Sequence, residues 1–213
     1  MIFVAELGSL HKGDPAVAYE MMRQAKNCGA DIAKFQFGHP PIDALRYVDL
    51  WAPRLQAWAR YLDIELMASI FSLNGLRAAQ GVNMRRYKIA HQKAEETELV
   101  EAILADGRET FVSSHLWSDR MCVKNIYATH LYPTYPEDLE MPQAFYDYYG
   151  YSDHSHGIEA CLLAIARGAR YIEKHFCLDK TDLATRDAPF SATPDEFAEL
   201  VRIGRPLARL VGG

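Results

Sequence analysis

The strongest constraint on the fold is the alternation of short β-rich runs with longer amphipathic stretches. Candidate strands cover Ile2–Glu6, Asp31–Gln36, Ile64–Ser69, Arg86–Ala90, Thr110–Ser113, Asn125–Thr129, Tyr149–Ser152 and Arg170–His175. The stretches between them, such as "PAVAYEMMRQAKNCGA", carry apolar residues at helical spacing and close on glycine. Such alternation is typical of right-handed βα units around a parallel sheet.

Eight such strands predict an α/β fold, a compact (β/α)8 TIM barrel, as a single domain over residues 1–213 without a second domain. Only "HLWSDRMC" separates the fifth and sixth strands, so we expect the fifth βα unit to be reduced. The segment 38–53 is expected to be irregular, and the closing helix to have Thr193 as N-cap and Pro194 at its first position. An open doubly wound sheet is the alternative, but no glycine fingerprint follows the first strand.

The composition restricts the class of function. The chain is 49% hydrophobic and 24% charged, with a formal net charge of -5, so no basic surface for nucleic acid or an anionic membrane is expected. No apolar run approaches the roughly 20 residues of a membrane span. The cysteines Cys28, Cys122, Cys161 and Cys177 are scattered, which is typical of free thiols in a reducing compartment. A soluble cytoplasmic protein is predicted.

The histidines share one feature: each lies at or just beyond the carboxyl end of a predicted strand. They are His11, His39, His91, His115, His130, His154, His156 and His175. The active sites of (β/α)8 barrels are built at that rim. A single histidine there is more often structural than functional, but eight at one rim favour a site.

The two-residue period of a strand sorts side chains into inward and outward sets. In "YIEKHF" it puts Glu173 and His175 on one face, and Ile172, Lys174 and Phe176 on the other. If the apolar sets face the helices, the polar sets share the barrel mouth: Glu6, Lys34, Gln36, Lys88, Ser152, His154, Glu173 and His175. Buried charges of this kind must pair with each other or meet a ligand.

These residue types suggest tasks. Lys34 and Lys88 are suited to hold a phosphate or carboxylate, and His154 and His175 to ligate a divalent metal ion. Glu6 and Glu173 are candidates for a general base or for orienting a hydroxyl group. A structural alternative remains, in which each lysine only neutralises a glutamate across the barrel. Equally, His154 and Asp153 could form a hydrogen bond that only stabilises the loop.

Several blocks resemble, in order, those of the sialic acid (N-acetylneuraminate) synthase family. The blocks are "VAELGSLHKGD", "GADIAKFQ", "RRYKIA", "YPTYPED", "GYSDHSHGIEA", "GARYIEKHFCLD" and "RDAPFSATPDEF", and they span nearly the whole chain. The resemblance implies a (β/α)8 barrel that condenses phosphoenolpyruvate with an N-acylated amino sugar, giving a nonulosonic sugar acid and phosphate. It also implies a divalent cofactor, Mn²⁺ in the first place and Mg²⁺ or another ion as alternatives.

The resemblance implies a role for individual residues. His154 and His175 match metal ligands, Glu6 matches a glutamate near the reacting centre, and Glu173 matches a position that contacts the sugar. These four residues form the expected catalytic set. The expected substrate-binding residues are Lys34, Gln36, Lys88, His91, Ser113, His130, Tyr132, Ser152 and Asp187. The expected partners are the two small substrates, together with a second copy of the chain in a homodimer.

The sequence also departs from the family pattern. Leu10 and Lys12 replace two asparagines in the first block, and His91, His130 and His115 replace a serine, an asparagine and a glycine. The segment after the second strand is shortened, and the family's C-terminal antifreeze-like domain, which contributes an arginine to the partner's sugar site, has no counterpart. A separate chain that supplies this capping domain is therefore a further candidate partner.

The leading hypothesis is a metal-dependent, phosphoenolpyruvate-dependent synthase that forms a carbon–carbon bond. Two alternatives stay open. One is a related barrel lyase or hydrolase with a different small phosphorylated or carboxylated substrate. The other is a non-catalytic binding subunit, against which the retained Glu6, Lys34, Lys88, His154, Glu173 and His175 argue.

Overall fold

A closed barrel of parallel strands forms the centre of the molecule. The computed structural model describes residues 1–39, 51–113, 122–129, 131–181 and 185–212. The strands are β1 (Ile2–Glu6), β2 (Ile32–Phe37), β3 (Glu65–Ile70), β4 (Arg86–Ile89), β5 (Glu109–Val112), β6 (Val123–Ala128), β7 (Gly150–Asp153) and β8 (Tyr171–His175). Each pairs with its sequence neighbours, and β8 closes on β1. The predicted (β/α)8 barrel is confirmed.

Helices connect the strands on the outside of the barrel. Within the described ranges they are α1 (Pro15–Asn27), α2 (Ala52–Leu62), α3 (Leu73–Gly81), α4 (Thr97–Ala105), α5 (Glu159–Ala166) and α6 (Pro194–Val211). None of these helices combines the length and apolar composition needed to cross a lipid bilayer.

Local sequence signals fix the helix ends. The Asp14 side chain accepts a hydrogen bond from the amide of Ala16 at 2.7 Å, which caps α1, and Gly29 follows this helix with φ +85°, in the left-handed region. Thr193 and Glu196 form a capping box at the start of α6, with Pro194 at its first position. The predicted start of the closing helix is confirmed.

The core has two parts because the barrel strands bury both faces. The smaller cluster fills the barrel interior with Val4, Ile32, Met67, Phe111, Ile126 and Tyr171. The larger cluster lies between barrel and helices and contains the outward-facing residues Phe35, Phe37, Ile172 and Phe176. The inward and outward faces predicted for β2 and β8 are therefore the ones observed. The polar side chains of these strands lie at the carboxyl end of the barrel interior.

Two connections bear on the predictions. The predicted reduction of the fifth βα unit concerns residues 114–121, which lie outside the described residues. Residues 40–50, in the segment 38–53 that is expected to be irregular, also lie outside them. The segment from β6 to β7 has no α-helix among its described residues, only a 3₁₀ turn at Pro136–Asp138. The reduced sixth unit is not among the features expected from the sequence.

Candidate active site

A cavity of about 700 Å³ opens at the carboxyl ends of the barrel strands. All predicted site residues that the structure describes line it: Glu6, Lys34, Gln36, Lys88, His91, Ser113, Tyr132, Ser152, His154, Glu173, His175 and Asp187. His130, like His115, lies outside the described residues. The cavity thus lies where (β/α)8 enzymes have their active sites.

The floor of the cavity is a cluster of buried charges held by strand register. Glu6 lies opposite Lys34 on β2 and opposite His175 on β8. Lys34 Nζ forms an ion pair with Glu6 Oε2, lies 3.4 Å from Glu173 Oε1 and donates to Ser69 Oγ at 2.8 Å. Lys34 therefore bridges the two glutamates.

Glu173 is the most heavily bonded member of this cluster. Lys88 Nζ donates to both of its carboxylate oxygens, at 3.1 and 3.0 Å, and Ser152 Oγ donates to Oε1 at 2.8 Å. The Tyr171 hydroxyl donates to Oε2. Burial alone would raise the pKa of Glu173, but Lys34 and Lys88 hold that pKa well below its ordinary value. Glu173 is thus a permanent carboxylate.

Glu6 has the opposite protonation tendency. Burial raises the pKa of its carboxyl group to about 7, against the attraction of Lys34, and the nearby charge of Glu173 adds to the rise. Gln36 Nε2 donates to Glu6 Oε1 at 3.3 Å. A carboxyl group that titrates near neutral pH is suited to exchange a proton with a substrate. When it is protonated, Lys34 and Lys88 face one carboxylate, that of Glu173. Burial lowers the pKa of Lys88, and the charge of Glu173 opposes that shift.

Two imidazoles stand beside the charged floor. The ring centroids of His154 and His175 are 5.6 Å apart, and the Tyr132 ring lies 4.6 Å from His154. The Tyr132 hydroxyl and His175 Nε2 form a hydrogen bond of 3.2 Å, and His175 Nδ1 lies 3.6 Å from Asp187 Oδ2. Burial lowers the pKa of His154 and of His175 to about 3, so both rings are neutral at pH 7.

These two histidines fit a metal ion as partial ligands. Neutral imidazole is the form that binds metals, and His154 Nδ1 is buried with no hydrogen-bond partner among the described residues. Within the same residues, no group of three or more histidine, cysteine, aspartate and glutamate side chains has a metal-binding arrangement. Among the described residues, His154 and His175 are therefore the ligands that a bound ion would have.

The opposite wall of the cavity also offers polar atoms. Ser113 Oγ is buried and has no hydrogen-bond partner among the described residues. His91 Nδ1 lies 3.1 Å from the Ser113 carbonyl oxygen, which fixes the ring beside β5. A buried hydroxyl without a partner is costly unless a ligand or water satisfies it, so this wall is suited to a polar ligand.

The expectation that all histidines meet at the site holds only in part. His39, His91, His154 and His175 line the cavity. His11 is fully buried beside Phe35 and Trp51, and His156 is exposed near Tyr135. Proximity to a strand end brings a side chain to the rim, but the path of the loop decides whether it faces the cavity.

The residues that sequence reasoning missed are of two kinds. Ser69 and Tyr171 contact the charged floor, and the period of two that placed Glu173 inward would have placed them inward too. Arg186 lies on the loop after β8, with its guanidinium 5.2 Å from the centre of the Tyr132 ring. No periodic signal identifies a loop residue, and the position of Arg186 beside Tyr132 comes from the structure.

The fold and the cavity together define a (β/α)8 barrel with a polar, charge-rich site at the strand carboxyl ends. Comparison with known families identifies it more narrowly. The chain belongs to the NeuB family, whose model matches residues 42–120 and 121–213.

Individual relatives agree with this membership. The chain is 30% identical to N-acetylneuraminate-9-phosphate synthase of Mus musculus, over 98% of this chain and 70% of that protein. It is 27% identical to pseudaminic acid synthase of Campylobacter jejuni, over 100% of this chain and 75% of that protein. The crystal structure of a sialic acid synthetase from Leptospira borgpetersenii superimposes with a TM-score of 0.87 at 27% identity, covering 100% of this chain and 85% of that one.

Proposed function

We propose that this protein is a synthase that condenses phosphoenolpyruvate with an aldehyde sugar, giving a nonulosonic sugar acid and phosphate. Two buried lysines at the floor of the cavity carry the proposal. Lys34 and Lys88 are both buried, and they face Glu173, a permanent carboxylate, and Glu6, which is half protonated near pH 7. Such a floor attracts a substrate with several negative charges.

Phosphoenolpyruvate fits this floor by its chemistry. Its carboxylate and phosphate are both anionic, and the two ammonium groups enter from β2 and β4, the strands on either side of β3. The Ser113 hydroxyl, buried without a partner among the described residues, supplies a further donor for an anionic oxygen. Relatives named as synthases of N-acetylneuraminate-9-phosphate and of pseudaminic acid support the same reaction class.

We assign His154 and His175 to a divalent ion, in the first place Mn²⁺. When bound, such an ion supplies Lewis-acid stabilisation of negative charge on an aldehyde oxygen. The histidines would contribute neutral imidazole ligands, and the contact between Tyr132 and His175 would orient one ring. The other nitrogen of His175, Nδ1, is left for the ion, and Asp187, 3.6 Å from it, lies where it can bind a sugar hydroxyl.

The remaining chemistry requires a proton acceptor near the floor. C3 of the enol phosphate forms a bond to the aldehyde carbon, whose oxygen takes a proton from protonated Glu6. Water then adds to C2 and returns a proton to Glu6. The bond from C2 to the phosphate oxygen breaks, the proton of the new C2 hydroxyl goes to the departing phosphate, and a keto group remains. The pKa of Glu6, near 7, suits both acceptance and release of that proton. Lys34 and Lys88 hold the charge of the departing phosphate.

The test is phosphate release from phosphoenolpyruvate in the presence of Mn²⁺ and a panel of aldehyde sugars, with and without N-acyl and phosphate groups. We expect release with at least one sugar, and a product whose mass equals that of the sugar plus pyruvate. A folded sample that releases no phosphate with any member of the panel would contradict the proposal.

Two controls separate the parts of the proposal. His154→Ala should abolish Mn²⁺-dependent turnover while phosphoenolpyruvate still protects the protein in thermal denaturation, because the lysines remain. Lys88→Met should weaken that protection. If the parent protein turns over equally well in excess chelator, the metal assignment is wrong and the condensation stands without it.

A further inference from the structure

A second buried charge pair lies directly behind the two histidines, on the outer face of the barrel. Asp153 and Lys174 are register partners on β7 and β8, and each immediately precedes one of the histidines in sequence. Their side chains are 0% exposed, and Lys174 Nζ lies 2.6 Å from Asp153 Oδ2. The pair faces the helices, so it does not contact the cavity contents.

The hydrogen bonds of this pair lock the backbone around His154. Asp153 Oδ1 accepts from the Tyr151 hydroxyl at 2.9 Å, from Ser155 Oγ at 2.7 Å and from the Ser155 amide at 3.1 Å. Lys174 Nζ also donates to the Ser155 carbonyl oxygen. His154 is thus held on both sides, by the residue before it and the residue after it.

The same pair connects His154 to the strand that carries His175. Lys174 belongs to β8, and its ammonium group bonds to both Asp153 and Ser155 of the β7 segment. Any relative displacement of the two strand ends would break a charge-assisted bond in a region without water, where such bonds are strongest. The separation of the two imidazoles is therefore coupled to this bridge.

Stability alone does not explain an ion pair at this place. Two apolar side chains of similar volume often stabilise a buried position as well as, or better than, an ion pair. An apolar pair lacks direction, however, whereas these hydrogen bonds fix the orientation of both strands at the atoms next to the histidines. Positional control is the property that only the polar pair provides.

We propose that Asp153 and Lys174 are positioning residues, which set the spacing and orientation of His154 and His175 from behind. This inference rests on the proposed function, in which the two histidines hold a divalent ion. The outer faces of β7 and β8 thereby gain a role in the site, while the histidines themselves lie on the inner side. Neither residue touches a substrate.

The test compares a double variant, which removes both charges of the buried pair, with a control that removes one ion-paired charge elsewhere in the barrel. The double variant Asp153→Asn/Lys174→Met keeps the shape and the acceptor for the Ser155 amide but removes the charged bridge. The control Arg86→Met removes the pairing of Arg86 with Glu65, at 2.8 Å, and with Glu109, at 3.0 Å, at the opposite end of the barrel. Circular dichroism and thermal denaturation first establish whether both variants fold.

The first measurement is the affinity for Mn²⁺ alone, by isothermal titration calorimetry of the metal-free proteins. Replacing groups that orient metal ligands typically weakens metal binding by about 10- to 100-fold. We expect a loss of at least about tenfold in the double variant. The Arg86→Met control should bind Mn²⁺ as the parent does. A folded double variant with the parent's affinity would overturn the proposal.

The second measurement does not depend on the metal. In protein labelled with ¹³C at histidine, the ring signals of His154 and His175 should shift or broaden in the double variant, while the His91 signal stays in place. If the parent fails to bind Mn²⁺, the metal assignment fails, and the ring signals alone decide the positioning role. Unchanged His154 and His175 signals in a folded double variant would overturn that role.

Discussion

Two clusters of buried charge meet on the strands β7 and β8, one on the inner face and one on the outer face. Ser152 and Glu173 point into the barrel, and the next residues of the same strands, Asp153 and Lys174, point outward. The outward pair is closed off from solvent. The inward cluster borders a cavity of about 700 Å³ and includes a carboxyl group that titrates near pH 7.

The difference shows in how the two clusters respond to pH. Burial alone would raise the pKa of Asp153, but Lys174 and Ser155 lower it below 3.8, so its contribution to stability is present above that pH and is lost in acid. The pKa of Glu6 is raised, so its contribution is present below pH 4.5 and is lost as the pH rises through 7. The outer pair stabilises the fold at neutral pH, whereas the inner cluster keeps a charge for a ligand.

The largest effect on stability should come from breaking the outer pair on one side. Asp153→Ala leaves the Lys174 ammonium buried without its partner, and such a loss costs about 3–5 kcal/mol in the free energy of unfolding. Urea unfolding monitored by circular dichroism measures the change. The double variant Asp153→Asn/Lys174→Met, with no charge left unpaired, should be less destabilised than the single one. A single variant as stable as the double one would contradict this account.

The largest effect on turnover should come from the inner cluster. Lys88→Met removes an ammonium group aimed at the substrate anion, and loss of one such preorganised group typically lowers kcat by about 10²–10³. Phosphate release under saturating phosphoenolpyruvate measures it. Arg86→Met, on the same strand but at the other end, is the matched control and should keep the parent's turnover. Equal losses in both variants would mean that Lys88 acts only through folding.

A third prediction concerns the pH dependence of Glu6. Glu6→Gln cannot ionise, so it escapes the loss of stability that the parent suffers between pH 4.5 and 7. With a native pKa of about 7, the variant should gain up to about 3 kcal/mol in the free energy of unfolding relative to the parent over this range. Urea unfolding at pH 5, 6, 7 and 8 tests this, and parallel stability curves would show that Glu6 is not protonated in the folded protein.

The smallest effect should come from Tyr132→Phe. The variant keeps the ring that packs 4.6 Å from His154 and loses only the hydroxyl that bonds His175 at 3.2 Å. One neutral hydrogen bond contributes about 0.5–1.5 kcal/mol, which corresponds to a fall of about two- to tenfold in kcat/KM for the sugar. Steady-state kinetics measure it. A thousandfold fall would indicate that Tyr132 takes part in the chemistry and does not only orient a histidine.

Much of this protein follows from its sequence alone. The alternation of strands and helices determined the barrel, because each strand–helix pattern is local. Glycines such as Gly29 mark the turn from a helix to the next strand. The period of two then determined which side chains enter the barrel mouth, including Glu6, Lys34 and Glu173. The start of the last helix was equally local, since the capping box at Thr193 lies within one turn.

The tertiary structure decided everything that depends on which residues meet across strands. Period two places Lys174 on the outer face but does not reveal that register sets it against Asp153. It places Glu173 inward but cannot say that two lysines keep it ionised while Glu6 takes up a proton near pH 7. Local sequence determines the direction of a side chain, whereas its neighbours, and therefore its charge, depend on how distant segments of the chain pack together.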